Sequence, residues 1–316
     1  MKKSPRATAR ETDLPPAQAG LAANPTEVRS FLIALALLLL GFSVPLFQVM
    51  RYALSRELYS YLILIPFVSA YLVWLKRARL TPTGTRLAPA WALAFFFAGA
   101  GLLAGYFLSL LSANQPAPQD TLALAMYSLG LLIAGVCCWF LNRPTLRALA
   151  FPLGFLVFLA PFPVVVESWL ETFLQYGSSL VAQVMFQLCG TPVFRDGTVF
   201  HLPGFSLQVA PECSGIHSTL ALFITSLVAG QVLLRSTRNQ ALLTLAVLPI
   251  ALLRNGLRVT TIGELCVHVG PQMIDSYIHH HGGPIFFILS LVPFSLLLLL
   301  LLKTDQPKRH PIKPTP

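Results

Sequence analysis

Charged side chains are scarce in this sequence. Asp, Glu, Lys and Arg make up 11% of its 316 residues, too little polar surface to cover a soluble globule of that size. Cysteines are few as well: Cys137, Cys138, Cys189, Cys213 and Cys266 show no finger spacing, which argues against a disulfide framework and a zinc ribbon. Acidic residues number 12 against 22 basic ones, a net charge of +10. That excess is scattered between long apolar runs, so it argues for loop anchors at a membrane and not for a nucleic-acid surface. Hydrophobic residues, by contrast, make up 55% of the chain.

Residues 1–30 mix Pro, Ala, Thr and charge without periodicity and read as a disordered tail. The segment is too long and too polar for the short basic lead of a signal peptide, so no cleavage is expected. Apolar stretches able to cross roughly 30 Å of hydrocarbon then recur through residues 31–302. They are approximately Phe31 to Met50, Tyr59 to Leu75, Pro89 to Leu111, Thr121 to Leu141, Ala148 to Val166, Ile216 to Leu234, Leu242 to Val269 and Pro284 to Leu302. The expected fold class is therefore an all-α polytopic membrane protein of about eight transmembrane helices, with residues 303–316 as a basic tail.

Orientation follows from the basic residues. If eight spans alternate, seventeen of the 22 Lys and Arg fall on one side, in both tails and in the loops holding Lys76 to Arg86, Arg143 and Arg147, and Arg235 and Arg238. The positive-inside rule puts that side, and both termini, in the cytoplasm. The exceptions are Arg51, Arg56, Arg195, Arg254 and Arg258.

The one long outer segment is then about Glu167 to Gly215. It opens with an amphipathic stretch, Trp169 to Leu188, whose Trp169, Phe173, Leu180, Val184 and Leu188 suit a membrane surface. Beyond Gly190, β-rich runs are punctuated by Asp196-Gly197 and Pro203-Gly204, the pattern of a short strand-turn element. It ends at Pro211-Glu212-Cys213-Ser214-Gly215, immediately before a span.

Alternation of spans brings three unusual segments to the outer face: Cys213 at the start of the sixth span, the His279-His280-His281 run before the eighth, and Arg258 in the seventh. Arg258 lies nineteen residues after Asn239, a climb of about 28 Å along a helix. A thiol becomes nucleophilic beside a fixed cation or a helix N-terminus, and Cys213 is placed for both. The other four cysteines read as packing groups. Arg254, one turn before Arg258 with Asn255 between them, reads as a cation that fixes helix packing by pairing with Glu212, Glu264 or lipid phosphate. Adjacent histidines on a helix point in different directions and no second ligand cluster stands near, so no metal and no cofactor is expected. One histidine acting as general acid or base is more economical, with His217, one turn after Cys213, as a rival.

These residues resemble the exosortase and archaeosortase family. Its pattern of Cys-Ser-Gly after a short outer segment, Asn-x-x-Arg in the next span, and a His shortly before a Gly and an aromatic-rich span is met by three segments here. They are Cys213-Ser214-Gly215, Asn255-Gly256-Leu257-Arg258 and His279 to Gly283-Pro-Ile-Phe-Phe. Upstream, Tyr59 to Phe67 looks like the family's early Ser-His-x-x-Leu-Ile-Pro span, with Tyr61 where a His is usual. The residue after Cys-Ser-Gly-Ile is often Arg in the family and is His217 here. The resemblance implies a bacterial inner-membrane enzyme with a periplasmic site. Such an enzyme cleaves exported proteins near a C-terminal signal made of a short motif such as Pro-Glu-Pro, a transmembrane helix and a basic tail. By the same resemblance Cys213 is the nucleophile, Arg258 steadies the oxyanion or thiolate, and His279 shuttles protons, with His280 as the alternative register. Glu212, Ser214, Gly215, His217, Arg254 and Asn255 support them. The expected partners are the tagged substrate, the bilayer and an acceptor amine or water, with no nucleic acid.

The rival class is a transporter that takes an anionic substrate past the intramembrane arginine pair. It predicts polar residues at mid-depth in several spans, and the first four have almost none.

Overall fold

The computed structural model describes residues 25–77, 89–113, 116–210, 214–270, 272–273 and 282–305. Cys213, Glu212 and the three histidines 279–281 lie outside the described residues, as do most of the two tails. Helices account for nearly all of it: α1 (Pro25–Gly41), α2 (Ser43–Ser55), α3 (Leu64–Leu75), α4 (Pro89–Leu111), α5 (Pro118–Phe140), α6 (Arg143–Phe155), α7 (Val164–Cys189), α8 (Ile216–Leu233), α9 (Thr237–Leu245), α10 (Val247–His268) and α11 (Gly283–Thr304). A 3-10 turn, Glu57–Ile63, leads into α3, and another, Leu156–Leu159, extends α6.

Six helices are long and apolar enough to cross a membrane, or up to eight if each of two bent pairs is one span. The chain is a multi-pass helical membrane protein. Both bends have proline causes. Between α1 and α2 the axis turns by 60°, where Pro45 has no N–H for the carbonyl of Gly41 and its ring crowds it. Between Arg143–Leu159 and α7 the helix breaks. There Pro161 and Pro163 flank the break, and Ala160, the residue before proline, is extended at ψ 134°. The expected span Ala148 to Val166 is therefore corrected: it is broken in its middle, and its last residues already belong to α7.

The chain forms two compact units. In the first, α4 and α5 meet through small residues. Ser128 Oγ donates to the carbonyl of Gly99 at 2.8 Å, and a Cβ on Gly99 or Gly135 would run into Leu132 or Phe96. Backbones that approach this closely favour association in lipid, where burial of apolar surface contributes little. Asn142 caps α6 by accepting from Thr145 N at 3.0 Å.

The second unit contains the 3-10 turn Glu57–Ile63, the start of α5, and everything from Pro161 onward. Its sheet is an antiparallel meander of β1 (Phe194–Asp196), β2 (Val199–Leu202) and β3 (Phe205–Gln208). Both expected turns are there: Gly197 at φ +59° and Gly204 at φ +88° supply the left-handed residue, the latter after proline as a type II turn requires. The inward face of the sheet, Phe200, Leu202, Leu207 and Val209, packs with Ala182 and Phe186 of α7 and Val259 of α10. A second core gathers Leu222, Leu234, Leu243, Val247, Phe294 and Leu301 from α8 to α11. The Asp305 carboxylate closes it, accepting from the backbone N–H groups of Arg235 and Ser236 and from Asn239 Nδ2 at 3.0 Å.

α7 has two faces. Trp169, Phe173, Leu180, Val184 and Leu188 are exposed, as an outward apolar stripe requires. The opposite face runs alongside α10 in the same direction, Gly177 against Leu252, Val181 against Gly256 and Phe186 against Gly263. Its second half is thus held by a long helix as well as facing outward.

Candidate functional site

α8 begins at a glycine. Gly215 is its N-terminal cap with φ +74° and ψ +18°, a left-handed conformation that costs an L side chain roughly 1–2 kcal/mol. Its carbonyl accepts from Thr219 N at 3.0 Å, from Thr219 Oγ1 at 2.8 Å and from Ser218 Oγ at 3.1 Å.

α10 supplies the rest. Arg254 Nη2 donates to the Gly215 carbonyl at 3.1 Å and lies 3.3 Å from Thr219 Oγ1. Asn255 Nδ2 donates to the Ser214 carbonyl at 3.2 Å. Ser214, Arg254 and Asn255 are all buried. A Cβ on residue 215 would meet Arg254 Nη2 at 2.8 Å and Asn255 Oδ1 at 3.1 Å, so only glycine fits on both conformational and steric grounds. The two carbonyls that follow Cys213 in sequence are thus bound by two adjacent side chains of one helix.

The expected pairing of Arg254 with Glu264 is corrected: among the described residues its partners are a backbone carbonyl and a hydroxyl, so it is a structural arm of the turn as well as a packing cation, and Glu212 lies outside the described residues. A guanidinium in poor solvent needs acceptors, and α8 provides them. Glu264 has other partners: it accepts from Thr191 Oγ1 at 2.6 Å and pairs with His268 Nε2 at 3.1 Å. Arg258, one turn beyond Arg254, is half-buried, and His217 in the first turn of α8 is exposed. Of the candidate residues, the structure brings Ser214, Gly215, Arg254 and Asn255 together. Thr219 was not foreseen; its signal was a hydroxyl four residues after the glycine cap. Cys137 and Cys266 are buried as packing thiols should be, but Cys189 is exposed at the end of α7. Burial as a packing group does not hold for it at that exposed helix end.

A second polar cluster joins four segments of the same unit. Glu167 Oε2 accepts from Tyr59 Oη at 2.7 Å and from Gln119 Nε2 at 2.8 Å. Tyr52 Oη donates to Gln119 Oε1 at 2.8 Å, and Asp120 Oδ1 accepts from Val164 N at 2.8 Å. These bonds anchor the start of α7 after its proline break.

A helical membrane protein with a rigid Ser-Gly turn held by an Asn-x-x-Arg helix is the class of molecule that results. The sequence model for transmembrane exosortases matches residues 52–296. The chain belongs to that family, whose members are membrane cysteine transpeptidases. No curated protein and no solved structure matches it.

Proposed function

We infer that the protein is a cysteine transpeptidase or protease of the bacterial inner membrane that cleaves exported proteins near a C-terminal sorting signal, from the periplasmic side. What supports this reading, beyond the family, is one observation: the carbonyls of Ser214 and Gly215, directly after Cys213, are tied to the helix that carries Arg258. A structural role alone gives little reason to immobilise a turn beside a thiol.

In the proposed reaction the Cys213 thiolate attacks the scissile carbonyl carbon, and the π electrons move to oxygen. Arg258 steadies the negative charge, an electrostatic effect that strengthens where water is scarce. Collapse re-forms the carbonyl, breaks the C–N bond and leaves a thioester on Cys213. His279, or His280 in the alternative register, gives the departing amine its proton. An acceptor amine or water then attacks the thioester, and the thiolate is released.

The test is processing of a precursor with a Pro-Glu-Pro motif, an apolar span and an Arg-rich tail. Cys213→Ser and Cys213→Ala should both leave it uncleaved while the protein still accumulates in the membrane. A serine hydroxyl lacks the acidity and the nucleophilicity of the thiol. Intact processing by Cys213→Ala would end this reading and favour transport of an anion past Arg254 and Arg258.

A further inference from the structure

We propose that the start of α8 is an oxyanion hole: the N–H groups of Gly215, Ile216 and His217 form a concave donor surface, and Arg254 and Asn255 hold it in shape by binding the carbonyls on its far side. The proposal rests on Cys213 being the nucleophile.

The geometry follows from planar peptides. In a trans peptide unit the carbonyl and the following N–H point in opposite directions, and the described residues contain no cis bond. Asn255 binds the Ser214 carbonyl, so the N–H of Gly215 points away from the Asn255 amide. Arg254 and Thr219 bind the Gly215 carbonyl, so the N–H of Ile216 points back out of the helix start. A left-handed residue followed by a helical one curls successive N–H groups toward a common point, the nest that receives anions. Gly215 and Ile216 are that pair. The first N–H of α8 seen to reach a helix carbonyl is that of Thr219, so the preceding groups are the orphan donors that every helix start presents.

A side-chain donor in the turn also points to an acceptor. Ser214 Oγ, in a residue 1% exposed, has no hydrogen-bond partner among the described residues. A buried donor left unsatisfied is costly. Such a donor next to a nest suits a site that fills when negative charge develops on a bound carbonyl oxygen. Neither Arg254 nor Asn255 needs to touch that oxygen; they are positioning residues that act through the backbone.

The experiment compares two reactions of Cys213 in the purified full-length protein in detergent, mapped by mass spectrometry. Alkylation by iodoacetamide passes through no oxyanion, whereas acylation by p-nitrophenyl acetate does. Removing a direct oxyanion donor lowers rates by about 10²–10³-fold, and loosening the turn that aims several donors should lower acylation by about tenfold or more. Asn255→Ala should therefore acylate at least about tenfold more slowly while its alkylation stays within about threefold of wild type. Arg254→Lys, which keeps the charge but loses the fork, should shift the same ratio and serves if Asn255→Ala does not accumulate. A fall common to both reactions, or no change in either, overturns the oxyanion hole. Wild-type protein that takes up neither reagent at Cys213 overturns the nucleophile reading instead.

Discussion

Alanine at Gly215, with alanine at Gly190 as its control, separates the contact between α8 and α10 from the cost of backbone strain. Both glycines are left-handed, at φ +74° and +79°, so each alanine carries the same backbone penalty of roughly 1–2 kcal/mol. Around Gly190 an added Cβ meets nothing within 4 Å, whereas at Gly215 it meets Arg254 Nη2 at 2.8 Å and Asn255 Oδ1 at 3.1 Å. Those side chains are 5% and 2% exposed, so neither can swing into open space. Displacing the guanidinium breaks a charged hydrogen bond worth about 1.5–3 kcal/mol. Gly215→Ala should then destabilise by about 3–5 kcal/mol and Gly190→Ala by about 1–2 kcal/mol. Apparent melting temperatures of the two proteins in detergent give the ranking. Combining Gly215→Ala with Arg254→Ala clears the space, so the double variant should be less destabilised than the sum of the two singles. Equal shifts at positions 215 and 190, or strict additivity in the double variant, would refute the clamp.

Arg258→Lys should be nearly as damaging to precursor processing as Arg258→Ala, because an ammonium does not reproduce the planar fork of donors. Full activity of Arg258→Lys would reduce the residue to simple charge pairing. A cysteine introduced at Gly197, in the turn between β1 and β2, should react with an impermeant thiol reagent in intact spheroplasts, as the division of basic residues requires. Protection there would place the sheet in the cytoplasm. Gly256→Ala would set a Cβ 2.6 Å from Val181 Cγ1 and 3.2 Å from Ala182 N, pushing α10 off α7 next to Asn255. It should lower processing more, for the same loss of melting temperature, than Gly263→Ala two turns further on. The opposite order would mean that the seat of α10 on α7 does not control the site.

Much of the fold is written in hydrophobic run length. Six expected spans are long and apolar enough to cross, although Tyr59 to Leu75 opens as a 3-10 turn and Leu242 to Val269 takes in the end of α9 as well as α10, and both sheet turns fall where glycine follows Asp196 or Pro203. The break at Ala160 to Pro163 was less legible: a run of apolar residues masks a bend that depends on two prolines, and the sequence does not say which way the chain leaves. The packing face of α7 is hard to read from sequence for a related reason. In lipid the side that meets another helix is the side of small residues, Gly177, Ser178 and Ala182, not the apolar stripe that amphipathicity singles out. The anchoring of Glu167 by Tyr59 and Gln119 joins residues far apart in sequence, and no local pattern announces such a pairing. At the candidate site the motif Ser214-Gly215 and the Asn255-x-x-Arg258 pattern were visible, but the burden falls partly on Arg254. Sequence spacing shows that Arg254 and Arg258 share a helix face; only the position of α8 shows which acceptors the first of them meets.

α10 explains why these residues sit on one helix. Successive residues turn by about 100°, so Gly256 lies roughly opposite both Arg254 and Arg258. The α7 side of α10 is Leu252, Gly256, Thr260 and Gly263, where close approach fixes axial register: a slide of one residue would drive Val181 and Phe186 into side chains where they now find glycine. The other side carries Arg254 and Asn255 to the start of α8. A helix fixed in register on one side can present donors on the other with little freedom to shift, which is what two bonds to consecutive carbonyls demand. Arg254 meets its acceptors at the level of Gly215, and Arg258 stands about 6 Å further along the same face. α10 then continues beyond it to His268, alongside α7 and the sheet. The clamp and the second cation are thus successive turns of one rigid element, so a cation needed for chemistry can be held in place by the same packing that shapes the turn after Cys213.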